Sequence, residues 1–202
     1  MQQRAGEVTP EAQAERAKLM DAALKVMKLN GFQGASVQDI LDEAGLSTRA
    51  FYRQFRSKDD LLLAMFRTAS ARDVEAVVKR VANAAGPLEG LHAWIDEMTA
   101  IAFDRRRLSR MVMFNVSARQ AVGFDEECDY MRERLTSPLA DSLRTGLEDG
   151  SFPSARPEDD ANTIFDLLWS VAGPVARRGR PLDRQDARSY LLRFALPALR
   201  SN

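Results

Sequence analysis

Hydrophobic residues recur along this chain with the period of a helix, and no stretch alternates as a strand does. Leu19, Ala22, Ala23, Val26 and Met27 obey the i, i+3, i+4, i+7, i+8 rule and predict a first helix. Asn30-Gly31 ends it, because both residues tolerate a left-handed backbone. Ser36 is a good N-cap with Asp39 at the third helical position, and Val37, Ile40, Leu41 and Ala44 form the stripe of a short second helix that Gly45 stops. Leu46 follows, and Ser47 caps a third short helix carrying Phe51 and Phe55 on one face. Ser57, with Asp60 three residues on, opens a fourth helix through Leu61, Leu62, Met65 and Ala69 toward Val81. Asn83 to Pro87 breaks it.

The second part of the chain repeats the pattern. Leu88, Leu91, Trp94, Ile95, Met98, Ile101 and Ala102 make a strongly amphipathic fifth helix, and Asp104 to Arg107 reads as a charged turn. Leu108, Met111, Val112, Phe114, Asn115 and Val116 predict a sixth helix. Gly123 and the acids Asp125, Glu126 and Glu127 mark the start of a seventh, where negative charge suits the positive end of the helix dipole. Its stripe is Met131, Leu135, Leu139, Leu143 and Leu147, with Pro138 as a point of kinking and Asp149-Gly150-Ser151 as the end. Pro157 opens an eighth helix through Ala161, Ile164, Phe165, Leu168, Val171, Ala172 and Val175. After a turn from Gly179 to Leu182, Asp183 and Asp186 cap a ninth helix with Tyr190, Leu191, Phe194, Ala198 and Leu199. The expected fold is all-α, with about nine helices and no strands.

Composition narrows what such a fold can do. The 202 residues, 45% of them apolar, suit one large domain or two small ones sharing a helix. Lysine plus arginine and aspartate plus glutamate number 29 each, so the chain does not coat nucleic acid through a uniform basic charge, and any nucleic-acid site must be local. Such a local patch exists. Between Ala44 and Lys58 stand Arg49, Arg53, Arg56 and Lys58 with no acid among them, while Asp39, Asp42 and Glu43 precede the stretch and Asp59 and Asp60 follow it. The single cysteine, Cys128, excludes an intrachain disulfide and a zinc cluster of thiolates. Its acidic neighbours should raise the thiol pKa, which makes it a bystander. With one histidine, His92, no HExxH motif and no glycine-rich phosphate loop, the chain carries no catalytic constellation and implies no cofactor and no metal. The acid pairs at Glu158-Asp159-Asp160 and at Asp125 to Asp129 sit at helix starts, where capping explains them. No apolar run approaches the ~20 residues of a membrane span, and the polar N-terminus lacks the apolar stretch of a signal peptide, so the expected location is the cytoplasm.

Two short helices joined by a tight glycine turn, with a third helix before them, form a helix-turn-helix. Here the pieces are Ser36 to Ala44, Gly45-Leu46-Ser47, and Thr48 to Phe55. The first helix of the pair braces on the DNA backbone, and the second presents its outer face to base edges in the major groove. Phe51 and Phe55 anchor that second helix, leaving Thr48, Arg49, Tyr52, Arg53 and Gln54 able to hydrogen-bond. Arginine pairs bidentately with guanine, and threonine bonds a base or touches a thymine methyl. Tyr52 and Lys58 suit phosphate oxygens, which set register rather than sequence.

The stretch Ser36-Val37-Gln38-Asp39-Ile40, Ala44-Gly45-Leu46-Ser47, Phe51-Tyr52-Arg53-Gln54-Phe55 and Ser57-Lys58-Asp59-Asp60-Leu61-Leu62 resembles the tetracycline-repressor (TetR) family over about residues 15 to 65. The resemblance implies that Thr48, Arg49 and Ala50 face bases, with Gln38 as an additional contact, that Tyr52 and Lys58 bind phosphate, and that Arg53 and Gln54 serve either purpose. Ser36 and Ser47, the caps of the two helices, complete the expected DNA-binding set. Alanine at position 50 is a departure, since the family often has glycine there. Residues 1–14 are expected to be a flexible tail, 15–62 the DNA-binding domain, and 63–202 an effector-binding and dimerisation domain.

One helix-turn-helix reads only a few base pairs, so a two-fold dimer with readers about 34–36 Å apart is expected on double-stranded DNA. Trp169, Val171, Ala172, Tyr190, Leu191, Phe194 and Leu199 give the last two helices more apolar surface than one core needs, and the resemblance points to a homodimer through them. The resemblance also implies a small-molecule effector among the middle helices. Trp94, Met98, Phe103, Met111, Phe114, Phe165 and Trp169 would supply an apolar pocket, with Asn115 and His92 as polar groups. The same stripe of aromatics and methionines also reads as ordinary core. The expectation is a repressor released from a palindromic operator by an apolar effector. Its rivals are a helical protein-interaction module without DNA binding and a DNA-binding activator.

Overall fold

Thr9 accepts the Ala12 N–H at 3.3 Å and Pro10 takes the first helical position, where its missing N–H costs nothing, so α1 (Pro10–Gly34) starts at residue 10. The computed structural model describes residues 9–104, 121–172 and 182–201. Among them are eight helices and no strand. The stripe Leu19, Ala22, Ala23, Val26 and Met27 is buried throughout. Gly31 leaves helical geometry at φ 69° and ψ 170°, and the Ala35 N–H closes a separate last turn on the Gly31 carbonyl at 3.1 Å.

Next come α2 (Val37–Ala44), α3 (Thr48–Gln54) and α4 (Lys58–Ala82). Ser36 and Asp39 form a full capping box at the head of α2. The Ser36 Oγ accepts the Asp39 N–H at 3.0 Å, and the Asp39 carboxylate accepts the Ser36 N–H at 2.9 Å. Gly45 ends α2 in the left-handed region, at φ 59° and ψ 41°. The Gly45 N–H bonds the Asp42 carbonyl at 3.3 Å and the Leu46 N–H bonds the Leu41 carbonyl at 3.2 Å, the two bonds of a Schellman turn. Ser47 then accepts the Ala50 N–H at 3.3 Å and starts α3. Ser57 caps α4 by accepting the Asp60 N–H at 3.0 Å.

The remaining helices are α5 (Pro87–Phe103), α6 (Phe124–Asp149), α7 (Pro157–Ala172) and α8 (Arg184–Arg200). The segment expected as a sixth helix, with Leu108, Met111, Val112, Phe114, Asn115 and Val116, lies outside the described residues. The expected seventh, eighth and ninth helices are therefore α6, α7 and α8.

The described residues fall into two compact units, one of residues 9–68 with 121–124, the other of 69–104, 125–172 and 182–201. In the first, α2 and α3 pack on α1 and on each other around Ile40, Leu41, Ala44, Phe51, Phe55, Leu61 and Leu62, all buried. In the second, α5 packs on α7 and α8, and α7 on α8. Their core holds Leu91, Trp94, Ile95, Met98, Leu139, Leu143, Phe152 and Leu168. Phe152 fits there only because residue 146 has no side chain, since a Cβ on Gly146 would stand 2.2 Å from the Phe152 ring. The Trp94 indole N–H donates to the Leu135 carbonyl at 2.7 Å, one turn before Pro138 interrupts the α6 ladder. No helix among the described residues is long and apolar enough to cross a membrane.

Two predictions concern the ends of α2, which orient α3. A Cβ at Gly45 would meet nothing within 4 Å, so replacing it isolates backbone strain from crowding. Gly45→Ala is expected to lower unfolding stability by about 1–2 kcal/mol in a denaturant titration. Hydrogen bonds from the Ser36 hydroxyl and N–H hold the Asp39 carboxyl below the usual aspartate range. A pKa depressed on folding means that this stabilisation is present above the ordinary aspartate range and is lost as pH falls through the folded value. Asp39→Asn is therefore expected to lower Tm at neutral pH, with the gap to wild type closing as the solution is acidified.

Candidate nucleic-acid interface

α3 is a seven-residue helix held at both ends, and its burial pattern sorts its side chains. Phe51 and Phe55 are essentially inaccessible, with ring centroids 5.9 Å apart, and Arg16 of α1 lays its guanidinium 4.4 Å over the Phe55 ring. Ala50 is also buried, at 5% exposure, so its methyl group belongs to the packed side of α3. Thr48, Arg49, Tyr52 and Arg53 are exposed, and Gln54 is half-buried.

The hydrogen-bonding residues expected at the interface divide further by what already engages them. Thr48 and Arg49 make no side-chain hydrogen bond among the described residues. Tyr52 rests the edge of its ring on Phe51, centroids 5.3 Å apart, which fixes the ring from below and leaves 59% of the residue exposed. These three are presented and available. Arg53 pairs with Glu15 of α1. Gln54 donates through Nε2 to the Ala12 carbonyl at 3.0 Å, and its own carbonyl accepts Arg16 Nη1 at 3.0 Å. Both residues are tied to the first helix.

The rest of the set has structural duties visible in the geometry. Ser36 and Ser47 are caps, each with its hydroxyl engaged on its own helix. Gln38 on α2 is exposed and donates to Asp42 one turn on, at 2.8 Å. Lys58, half-buried at the start of α4, donates from Nζ to the Ala35 carbonyl at 2.9 Å and so braces the junction before α2. Sequence spacing could not reveal the engagement of Arg53, Gln54 and Lys58, because their partners lie 38, 42 and 23 residues away.

The residues expected around an effector lie in the second unit. Trp94 and Met98 are fully buried, Phe165 is 8% exposed, and Trp169 packs its ring against Phe165 with centroids 6.0 Å apart. Arg132 lays its guanidinium 4.7 Å over the Phe165 ring and pairs with Asp166 at 2.6 Å. The structure thus joins Trp94, Met98, Phe165 and Trp169 in one apolar cluster, while Met111, Phe114 and Asn115 lie outside the described residues. His92 stands at the polar edge between α5 and α8, with Nδ1 3.4 Å from Arg188, which itself pairs with Asp96. The Cys128 thiol is pushed up by burial first and by Asp125, Asp129 and Glu127 second, which suppresses the reactive thiolate. Among the described residues no three histidine, cysteine or acidic side chains gather as a metal site.

On α8 two aromatic residues are turned outward. Tyr190 is 37% and Phe194 48% exposed, their centroids 4.7 Å apart.

Comparison with known proteins agrees with the geometry of the first unit. Residues 19–65 match the sequence model of bacterial regulatory proteins of the tetR family, a span from the α1 stripe to the first turns of α4. The chain is 25% identical to the HTH-type transcriptional repressor KstR2 of Mycobacterium tuberculosis over 94% of each chain. The fold is that of a transcriptional regulator from Pseudomonas aeruginosa PAO1, with TM-score 0.75, 22% identity and coverage of 98% of this chain and 95% of that one. It is also that of the transcriptional regulator FadR from Bacillus subtilis, crystallised in complex with stearoyl-CoA, with TM-score 0.69, 18% identity and coverage of 90% and 98%. A capped recognition helix with an open polar face and the matching N-terminal domain converge: residues 19–65 are a DNA-binding domain of the tetR family of bacterial regulatory proteins, and the chain is a DNA-binding transcriptional regulator.

Proposed function

We propose that this protein is a cytoplasmic homodimeric repressor that occupies a palindromic operator and leaves it when an apolar or amphipathic small molecule binds the second unit. One observation carries the DNA-reading part. α3 offers Thr48, Arg49 and Tyr52 outward, while its other face is locked down by Phe51 and Phe55. In this reading Arg49 pairs with a guanine edge and Thr48 bonds a base or touches a thymine methyl. Tyr52, Lys58 and the caps Ser36 and Ser47 set register on the backbone. Gln38 on α2 reaches the neighbouring edge.

The exposed pair Tyr190 and Phe194 supports α8 as the dimer face, with Trp169 and Ala172 of α7 alongside, since aromatic pairs left open in water favour burial against a second copy. The regulator crystallised with stearoyl-CoA shares this fold, which supports an effector with a long apolar part. The cluster of Trp94, Met98, Phe165 and Trp169 is the surface such a molecule would meet. Release from DNA requires only that the effector bind the DNA-competent and the released conformations unequally.

Selection from randomised duplex DNA is expected to yield an inverted repeat. Arg49→Ala should then cost on the order of 1–3 kcal/mol in affinity and relax preference at one position per half-site. Enrichment of no sequence at any salt concentration removes the DNA-reading assignment of α3. Phe194→Asp is expected to shift the protein from dimer to monomer in analytical ultracentrifugation, and an unchanged dimer would assign the interface elsewhere. Stearoyl-CoA and a panel of other apolar compounds, titrated into the protein–operator complex, should include at least one that releases DNA. A panel without binding by calorimetry rejects the effector and leaves the DNA reading standing.

A further inference from the structure

α3 carries two arginines one helical turn apart, and they are treated differently. Arg49 makes no hydrogen bond or ion pair among the described residues, whereas Arg53 is paired with Glu15, 38 residues earlier on α1. The pairing is one strand of a larger latch between α1 and α3, in which Gln54 donates to the Ala12 carbonyl and Arg16 donates to the Gln54 carbonyl while covering Phe55. The latch holds the Arg53 guanidinium at α1 although 53% of the side chain remains exposed.

A free guanidinium at this position would meet any duplex laid along α3. Its contact with a phosphate oxygen would carry no sequence information, and it would add about one released counterion to binding. Pairing with a carboxylate reduces that contribution, because the positive charge is compensated and one terminal nitrogen is engaged at α1.

We propose that Glu15 is a positioning residue that sets the sequence-independent part of DNA affinity by holding Arg53 away from the phosphate backbone. The inference rests on the reading of α3 as the recognition helix. It extends that reading to α1, where neither the helix-turn-helix pattern nor the base-facing positions assign a role to an acid. The carboxylate acts through Arg53, so its loss is felt in the salt dependence of binding.

The test compares wild type, Glu15→Gln and Glu15→Gln/Arg53→Gln on two duplexes, the one enriched from a randomised library and a scrambled duplex of equal length, between 0.1 and 1 M salt. Glutamine is nearly isosteric with glutamate and leaves the exposed α1 surface intact. Glu15→Gln is expected to bind both duplexes more tightly by the same factor, about eightfold at 0.1 M salt and fading toward none at 1 M, with the log–log salt slope more negative by about one. Adding Arg53→Gln should abolish that gain.

A gain on the enriched duplex alone overturns the proposal, because Arg53 would then read bases. A gain that survives Arg53→Gln also overturns it, because Glu15 would then act by its own charge. An enriched duplex with an unchanged slope in Glu15→Gln removes this inference and leaves the recognition helix in place. If wild type enriches no duplex, both fail together.

Discussion

Phe51 and Phe55 have to be buried for α3 to be a helix at all. Seven residues are far below the ~12–15 at which an isolated helix becomes even marginal in water. Ordering each backbone residue costs about 1–2 kcal/mol, which the few hydrogen bonds inside α3 cannot offset. The two phenyl rings supply roughly 1.5–3 kcal/mol each on full burial, and α3 packs against α1 and α2. The Schellman turn at Gly45 and the Ser47 cap then set the direction in which α3 leaves the core. A DNA-reading surface of this kind is therefore a property of the whole first unit. The exposed atoms of Thr48, Arg49 and Tyr52 are placed by side chains that never meet solvent.

What was legible in the chain follows from which forces act locally. The stripe of α1, the stripes of α2 and α3, and the caps at Ser36, Ser47, Ser57 and Asp183 depend on residues three or four apart, and each is found where periodicity and capping chemistry put it. The head of α1 was also written locally, in Thr9-Pro10, but a reading led by apolar spacing begins at the first large hydrophobic residue and passes over a cap upstream of it. The state of the polar residues was not legible. A linear count finds four basic residues from Arg49 to Lys58 with no acid among them, yet Glu15 reaches Arg53 and the Ala35 carbonyl takes Lys58 from across the fold. Alanine at position 50 shows the same limit. Its size says nothing about which side of a helix it occupies, and only its place beside Phe51 in the packed core does.

This distribution of charge explains how a chain with no net charge can address DNA. Twenty-nine basic and twenty-nine acidic groups cancel at long range, and within a Debye length of about 10 Å only the local arrangement matters. Several acids around α3 are engaged in structure. Asp39 closes the α2 capping box, Asp42 accepts from Gln38, Asp60 accepts the Arg56 N–H, and Glu15 pairs with Arg53. Among the described residues the Arg49 side chain has no hydrogen-bond or ion-pair partner. In the proposed reading of α3, a base contact by Arg49 contributes to discrimination while sequence-blind contacts do not, because specificity is a difference of affinities.

The second unit obeys a complementary constraint. Two polar groups buried in its core are satisfied internally. The Trp94 indole donates to the Leu135 carbonyl at 2.7 Å, and the Thr99 hydroxyl donates to the Ile95 carbonyl at 2.7 Å. A ligand that brought a hydrogen-bonding group to this cluster would have to break one of those bonds or leave its own group unpaired, at about 1–3 kcal/mol. A ligand that brought only methylene or aromatic surface would exchange one apolar contact for another. Met98, unbranched and polarizable, can shift to admit such a guest more cheaply than a branched residue could. In the proposed reading, the engaged donors of Trp94 and Thr99 favour an apolar guest segment at this cluster.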